Sequence, residues 1–285
     1  MKNILTVDLE DWFSVEAFET VYEPKQWDGL TPVVERATDK ILGMFARHRL
    51  RATFFVLGWV ADRYPALIGR VADAGHEIAC HSYFHQMVSS LTPEEFRRDT
   101  EMALDAIRRA CGIRPIGYRS PTWGMRRDLP WAYDILSEYG FQYDSSVFPI
   151  RHDLYGDPGA PDRAYPVHLA SGRTMIEIPA STVKAFGLRL PLGGGGWLRQ
   201  FPYWFTRWGI RKLNREGLPA MVYFHPWELA SDLPRVKLSL KNRIRQYGNL
   251  NTMEIKVENL LNEFEFGPIS DYVAVLESQS SGKAE

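Results

Sequence analysis

Apolar runs short enough for strands alternate with longer amphipathic stretches along most of this 285-residue chain, and ionisable residues repeatedly follow the strand-like runs. Strands are expected at Asn3–Leu9, Ala52–Leu57, His76–Cys80, Pro115–Arg119, Phe141–Asp144, Arg173–Ile178 and Ala220–Phe224. Between them, helices are expected from Thr31-Pro32 to about His48, over roughly Trp59–Ala74, from Thr92-Pro93 to about Cys111, and over Asp128–Tyr139 and Tyr203–Arg215. Thr92-Pro-Glu-Glu95 is a capping box with proline at the first helical position, and Gly75, Gly112 and Gly140 stand where helices stop. Strand–helix alternation of this kind implies right-handed crossovers and a parallel sheet, an α/β fold with chemistry at the C-terminal ends of the strands.

Two stretches fall outside the alternation. Pro149–Arg173 reads as a long surface excursion, and Gly193–Gly196 as a flexible turn, since it lacks the Lys-Ser/Thr that would follow in a phosphate loop. The aromatics after it, Trp197, Tyr203, Trp204 and Trp208, would either line a sugar groove or pack as core or lid.

A net charge of −1, from 34 basic and 35 acidic residues with no polybasic run, gives no reason to expect nucleic acid or an anionic membrane as partner. No apolar run reaches the ~20 residues of a membrane span. The start, Met1-Lys-Asn-Ile-Leu-Thr-Val-Asp8, is not a secretory signal, and a cytoplasmic location is expected. Cys80 and Cys111 make no disulfide framework and are read as ordinary thiols.

Five short segments carry the chemistry. His81 and His85, four apart, would share one face of a helical turn and reach one metal ion. Asp8, Glu10 and Asp11 crowd the end of the first strand, where three carboxylates repel unless a cation compensates them. On a regular strand Asp8 and Glu10 point to one side, so Glu10 is the natural third ligand beside Asp8 as base; Asp11 replaces it if the chain has already left the strand. Arg119 would hold the base carboxylate bidentately, with Pro121 and Trp123 shaping the wall beside it. His225, preceded by Tyr223, would protonate a leaving amine, and Asp144 would either orient His225 or cap a turn. His48, His76, His152 and His168 lack comparable company.

Taken in order, these segments resemble the NodB-like polysaccharide deacetylases, carbohydrate esterase family 4. His81-Ser-Tyr-Phe-His85 is similar to the family's metal motif, Arg119-Ser-Pro-Thr-Trp123 to its third motif and Tyr223-Phe-His225 to its last. The first motif departs: Leu9 stands where a second aspartate is common, and Glu10-Asp11-Trp12 follows. That form, with His225-Pro-Trp-Glu-Leu229 and Asn251-Thr-Met-Glu254, resembles the branch found beside exopolysaccharide genes in bacteria with exosortase sorting systems.

The resemblance implies a single-domain, distorted (β/α)7 barrel over residues 1–230, an extension over 231–277 packed on it, and a disordered tail from 278 to 285. It implies one divalent ion, zinc being expected, on His81, His85 and one acid. Asp8 would be the base, with Arg119 and Asp144 supporting the chemistry and Pro121, Trp123 and Tyr223 touching substrate. The implied reaction removes N-acetyl groups from amino sugars of an exopolysaccharide or its precursor, with the N-acetylated saccharide as the partner. A metal-independent amide or imide hydrolase of the same fold and a non-catalytic carbohydrate-binding protein are the alternatives. A glycosidase would leave His81, His85 and Arg119 without a role.

Overall fold

The computed structural model describes residues 1–185, 187–230 and 232–281. In chain order its elements are β1 (Asn3–Leu9), α1 (Val34–Arg47), β2 (Thr53–Val56), α2 (Gly58–Arg63), α3 (Pro65–Asp73), β3 (Glu77–Cys80), α4 (Pro93–Cys111), β4 (Gly117–Tyr118), α5 (Pro130–Glu138) and β5 (Tyr143–Asp144). Next come β6 (Tyr165–His168), β7 (Thr174–Glu177), β8 (Thr182–Ala185), β9 (Leu188–Pro191), α6 (Gly195–Gln200), α7 (Tyr203–Arg215) and β10 (Met221–Phe224). The chain then runs through α8 (Leu240–Tyr247), α9 (Met253–Glu263), β11 (Phe266–Gly267) and α10 (Ile269–Ser281).

Seven parallel strands form the frame in the order β10-β1-β2-β3-β4-β5-β7. Every residue of β1 and β2 is buried, as strands covered on both faces require. The expected single-domain α/β fold of distorted-barrel type is therefore present. β7 and β10 do not pair directly among the described residues. The segment after β7 spans the gap: the Met221 amide donates to Ser181 Oγ at 2.7 Å, and the Tyr223 amide to Gly193 O at 2.9 Å. β6, antiparallel on β7, lies inside Pro149–Arg173, which is thus not wholly an irregular excursion.

Several expected boundaries move for local reasons. α1 starts at Val34 rather than at Thr31-Pro32, because its free amides are satisfied from a distance by the Asp11 carboxylate, which accepts from Val33 and Val34 at 2.9 and 3.1 Å. The single helix expected over Trp59–Ala74 is two, broken before Pro65, whose ring disfavours helical backbone at Tyr64. α4 forms as expected, with the Thr92–Glu95 capping box and Gly112 left-handed at φ 73°.

The residues after 230 make specific contacts with the earlier part of the chain. β11 pairs with the start of β1, and buried Lys256 donates to the carbonyls of Leu198, Arg199 and Phe201. α10 continues through Ser281, so the first four residues of the expected tail are helical; 282–285 lie outside the described residues. No helix among the described residues is long and apolar enough to cross a membrane.

The C-terminal ends of the parallel strands share one end of the sheet. Asp8 is the penultimate residue of β1, and His81, Arg119, Ser145 and His225 directly follow β3, β4, β5 and β10.

Candidate active site

Glu10, His81 and His85 converge at that end, one ligand atom from each lying within 4.8 Å of the others, and all three are buried. The histidines do not meet on a helical turn, as their spacing predicts. The chain after β3 is irregular, with Ser82 and His85 in left-handed backbone at φ 63° and 58°. Such backbone is costly for residues with a Cβ and is held here by tertiary bonds. Asp99 accepts the amides of Tyr83 and Phe84 at 2.9 and 3.1 Å, and Ser82 Oγ accepts that of His85 at 3.0 Å.

The donor set fits a divalent cation. His81 Nδ1 donates to Arg119 O at 2.8 Å, which leaves the lone pair on Nε2 and fixes the ring. Burial, aided by the charge of His85, brings His81 down to about 3, so the ring is neutral. His85 Nε2 lies 2.8 Å from Glu10 Oε2 but off the line of a hydrogen bond, and that oxygen is buried without a hydrogen-bond partner. Burial alone would raise the Glu10 carboxyl; the charge and contact of His85, with His225 and His81 beyond, hold it below the ordinary carboxylate value. An ionised buried oxygen facing two imidazoles is what a metal ligand presents before its ion is bound. Between the two acids left open by the sequence, geometry selects Glu10. Asp11 turns away to accept the amides of Trp12, Val33 and Val34, and burial raises it to about 6.

Beside this cluster Asp8 Oδ1 accepts from Arg119 Nη1 at 2.7 Å. The pairing is not the expected bidentate fork. Arg119 Nε and Nη2 instead donate to Ser145 O and Ser145 Oγ, both at 3.0 Å, so the loop after β5 holds the guanidinium and the guanidinium holds Asp8. Arg119 also lies over the rings of Phe55 and Trp123 at 4.0 and 4.5 Å.

His225 stands across from them, its Nε2 3.4 Å from Glu10 Oε1 and 3.8 Å from Asp8 Oδ2. Its orienting acid is not Asp144. His225 Nδ1 donates to Glu228 Oε2 at 2.9 Å, and Glu228 Oε1 accepts from buried Arg199 Nε at 2.5 Å. Burial would lower His225, but the charge and hydrogen bond of Glu228 outweigh it and raise the imidazole to about 9. Burial works against Glu228 too, yet Arg199 and His225 bring it to about 2. Asp144 lies in the sheet in register with Glu177 and accepts from Ser146 Oγ at 2.5 Å. Burial raises both carboxyls, and repulsion from Asp144 raises Glu177 further; a proton on Glu177 then supplies the donor that Asp144 Oδ2 otherwise lacks. Glu177 also accepts the amides of Ser146 and Val147, so this pair anchors the loop that grips Arg119.

Trp123 and Tyr223 wall the cavity over these groups, their ring centroids 4.8 Å apart. Pro121 is buried in the turn behind and is not part of the wall. Thr122 and Trp123, both left-handed at φ 54° and 53°, add strained backbone to the same rim. The Gly193–Gly196 run is a close-packing device rather than a flexible turn. A Cβ on Gly194 would lie 1.7 Å from the Tyr223 ring, so only glycine lets this strand pass β10. The cavity, about 280 Å³, extends from the ligand cluster past His225.

Residues 27–143 match the polysaccharide deacetylase family, and residues 145–274 match a domain of unknown function, DUF3473. The chain is thus similar to the polysaccharide deacetylases over residues 27–143. It is 33% identical over 171 residues to a peptidoglycan-N-acetylglucosamine deacetylase of Bacillus cereus, covering 50% of this chain and 62% of the relative. It is 34% identical over 110 residues to a chitooligosaccharide deacetylase of Sinorhizobium fredii, covering 39% and 47%. The chain thus spans about half to three-fifths of the length of these relatives. In fold it is similar to the crystal structure of a candidate polysaccharide deacetylase from Mycobacterium smegmatis, with a TM-score of 0.62, 22% identity and coverage of 98% and 92%. A solved peptidoglycan N-acetylglucosamine deacetylase aligns with a TM-score of 0.51 and 15% identity over 95% and 86%. His81 and His85 lie in the first matched segment, and Arg199, His225 and Glu228 in the second.

Proposed function

We propose that the chain is a metal-dependent hydrolase that removes N-acetyl groups from amino sugars of an exopolysaccharide or its precursor, releasing acetate. One observation carries this reading. The Glu10–His81–His85 donor set lies between an acid held by arginine, Asp8, and a histidine held by a carboxylate, His225, in one cavity.

A divalent ion on Glu10, His81 and His85 would polarise the amide carbonyl and make water a better nucleophile near neutral pH. The remaining chemistry belongs to the side chains. Asp8, positioned by Arg119, accepts the proton that water loses as it attacks. His225, kept protonated by Glu228, donates from Nε2 to the departing nitrogen, so the C–N bond breaks to an amine rather than an amide anion. Trp123 and Tyr223 exclude bulk water from one side. The expected products are acetate and a free amino sugar.

The test is metal content of the purified protein together with acetate release from N-acetylated oligosaccharides. About one ion per chain and chelator-sensitive release support the proposal, and His81→Ala with His85→Ala abolishes both. Acetate release that survives loss of the metal sinks it in favour of metal-independent amide hydrolysis.

A further inference from the structure

The 34 bases and 35 acids of the chain nearly cancel, but they are not spread evenly. Between Asp232 and Glu254 stand five bases, Arg235, Lys237, Lys241, Arg243 and Arg245, and no acid. They are interspersed with apolar residues, and the fold sorts the two kinds. Val236 and Leu238 pack inward on the core, while Arg235 and Lys237, alternating with them, are exposed. α8 buries Gln246 and leaves Leu240 and Ile244 65% and 52% exposed, one helical turn apart. At 3.6 residues per turn, Lys241 and Arg243 flank that apolar pair, one on each side. The face is fixed from behind. Ser239 Oγ accepts the Asn242 amide at 3.2 Å, and the Tyr247 hydroxyl accepts the Val236 amide at 3.1 Å and donates to Pro234 O at 2.9 Å. Asp153 pairs with Lys241 and with Arg245, the latter at 2.6 Å, and Glu16 feels the charge of the same two bases. Arg235 lies over the Tyr247 ring at 4.5 Å, and among the described residues no acid pairs with Arg235, Lys237 or Arg243.

We propose that this face seats the chain on a bilayer of anionic phospholipids, with the mouth of the cavity beside the lipid. Cations without acidic partners meet the negative headgroups, and the exposed aliphatic side chains between them reach the acyl boundary just beneath. That combination favours a bilayer over other occupants. A dissolved polyanion or a nucleic acid would leave Leu240 and Ile244 in water, and a second copy of the same face would set like charges against each other. The seat adjoins the site, because Ile244, Arg245 and Gln246 line the cavity that holds Glu10, His81 and His85. Docking itself stands apart from the deacetylase reading. What rests on that reading is the consequence that the N-acetylated sugar is met at a lipid surface rather than in free solution.

The test is co-sedimentation of the metal-loaded full chain with vesicles of phosphatidylcholine, alone or with about a third phosphatidylglycerol, at about 0.1 M salt. Binding is expected only to the anionic vesicles, and it should weaken as salt rises. Lys237→Ser with Arg243→Ser is expected to weaken it by about tenfold or more, and Leu240→Ser, which leaves the charge alone, by about fivefold or more. All three positions are exposed and none lines the cavity, so acetate release from soluble N-acetylated oligosaccharides is expected to stay unchanged in each variant. No binding to anionic vesicles, or binding that the double variant keeps in full, overturns the docking. Binding that falls with the charges but not with Leu240→Ser overturns it in favour of a polyanion. A dimer that these substitutions dissociate, in place of vesicle binding, gives the face to a second copy. The two readings fail separately: vesicle binding without acetate release keeps the docking and sinks the deacetylase, and acetate release without vesicle binding does the reverse.

Discussion

Glu228 sits three residues after His225 and takes two hydrogen bonds from it on one oxygen, from the backbone amide and from Nδ1, both at 2.9 Å. The other oxygen takes Arg199, which also donates to the carbonyls of Arg245, Gln246 and Gly248 near the end of α8. One buried carboxylate therefore orients the histidine, favours its protonated form and ties it to the C-terminal extension. Glu228→Gln is expected to lower acetate release per folded molecule by at least about tenfold, because a neutral amide no longer favours the imidazolium. It also leaves Arg199 buried without its counter-ion, at a cost of about 3 kcal/mol in urea unfolding. Activity within twofold of wild type would remove Glu228 from the site.

Glu10 and Asp11 are adjacent carboxylates with different partners, and substitution separates them. Glu10→Ala is expected to abolish metal binding and activity together. Asp11→Ala is expected to keep the metal and to lose about 1–2 kcal/mol of stability, the cost of an uncapped helix start at α1. Metal analysis beside denaturant unfolding reads both. Loss of the metal in Asp11→Ala alone would reverse the assignment.

His76 supplies a pH dependence away from the metal. It is 6% exposed, accepts the Ala52 amide on Nδ1 at 3.2 Å, and is brought by burial, then by the charge of Arg51, to about 4. The unfolded chain holds its histidines near ~6.5 and so binds the extra proton between these two values. The neutral ring's contribution is therefore complete above about pH 6.5 and is lost as pH falls towards 4, amounting to at most about 3 kcal/mol. His76→Asn, which keeps an acceptor, is expected to flatten the difference in unfolding free energy between pH 7 and pH 5. An unchanged slope in the variant would exclude His76 as its source.

What could be read from the sequence divides by the range of the interactions involved. Asp8, His81, Arg119 and His225 were legible because each follows a strand-like apolar run, and parallel strands bring such positions to one end. Alternation implied a parallel sheet and left the order of its strands open. Asp144 stood in an equally promising place, but its partner Glu177 comes from β7 through sheet register, which local pattern does not reveal. Glu228 was within reach: an acid three residues after His225, in a turn opened by Pro226, is a capping arrangement. Arg199 was not, since its carboxylate is 29 residues away in sequence. The histidine spacing suggested a helix, whereas left-handed backbone at Ser82 and His85, stabilised by Asp99, does the converging. Trp197 was visible as an aromatic beside a glycine run, but its place on the cavity wall depends on how α6 docks.

That docking depends on Gly194. Its missing side chain lets the chain bridge to Tyr223 in parallel pairing and sets α6 beside His225. An added Cβ would lie 1.7 Å from Tyr223 Cε1 and 1.9 Å from Cδ1, well inside contact distance, and Tyr223 is itself buried against Trp123. The clash falls on ring atoms packed against Trp123, so Gly194→Ala is expected to move α6 or Tyr223 and to disturb His225 with it. The cost should be about 1–3 kcal/mol of stability, as for other overpacked cores, with acetate release reduced by more than the folded fraction explains. Gly29→Ala is the control, because a Cβ there meets nothing within 4 Å. If Gly194→Ala matches Gly29→Ala in both unfolding and acetate release, the close approach of this strand to β10 has no part in positioning His225.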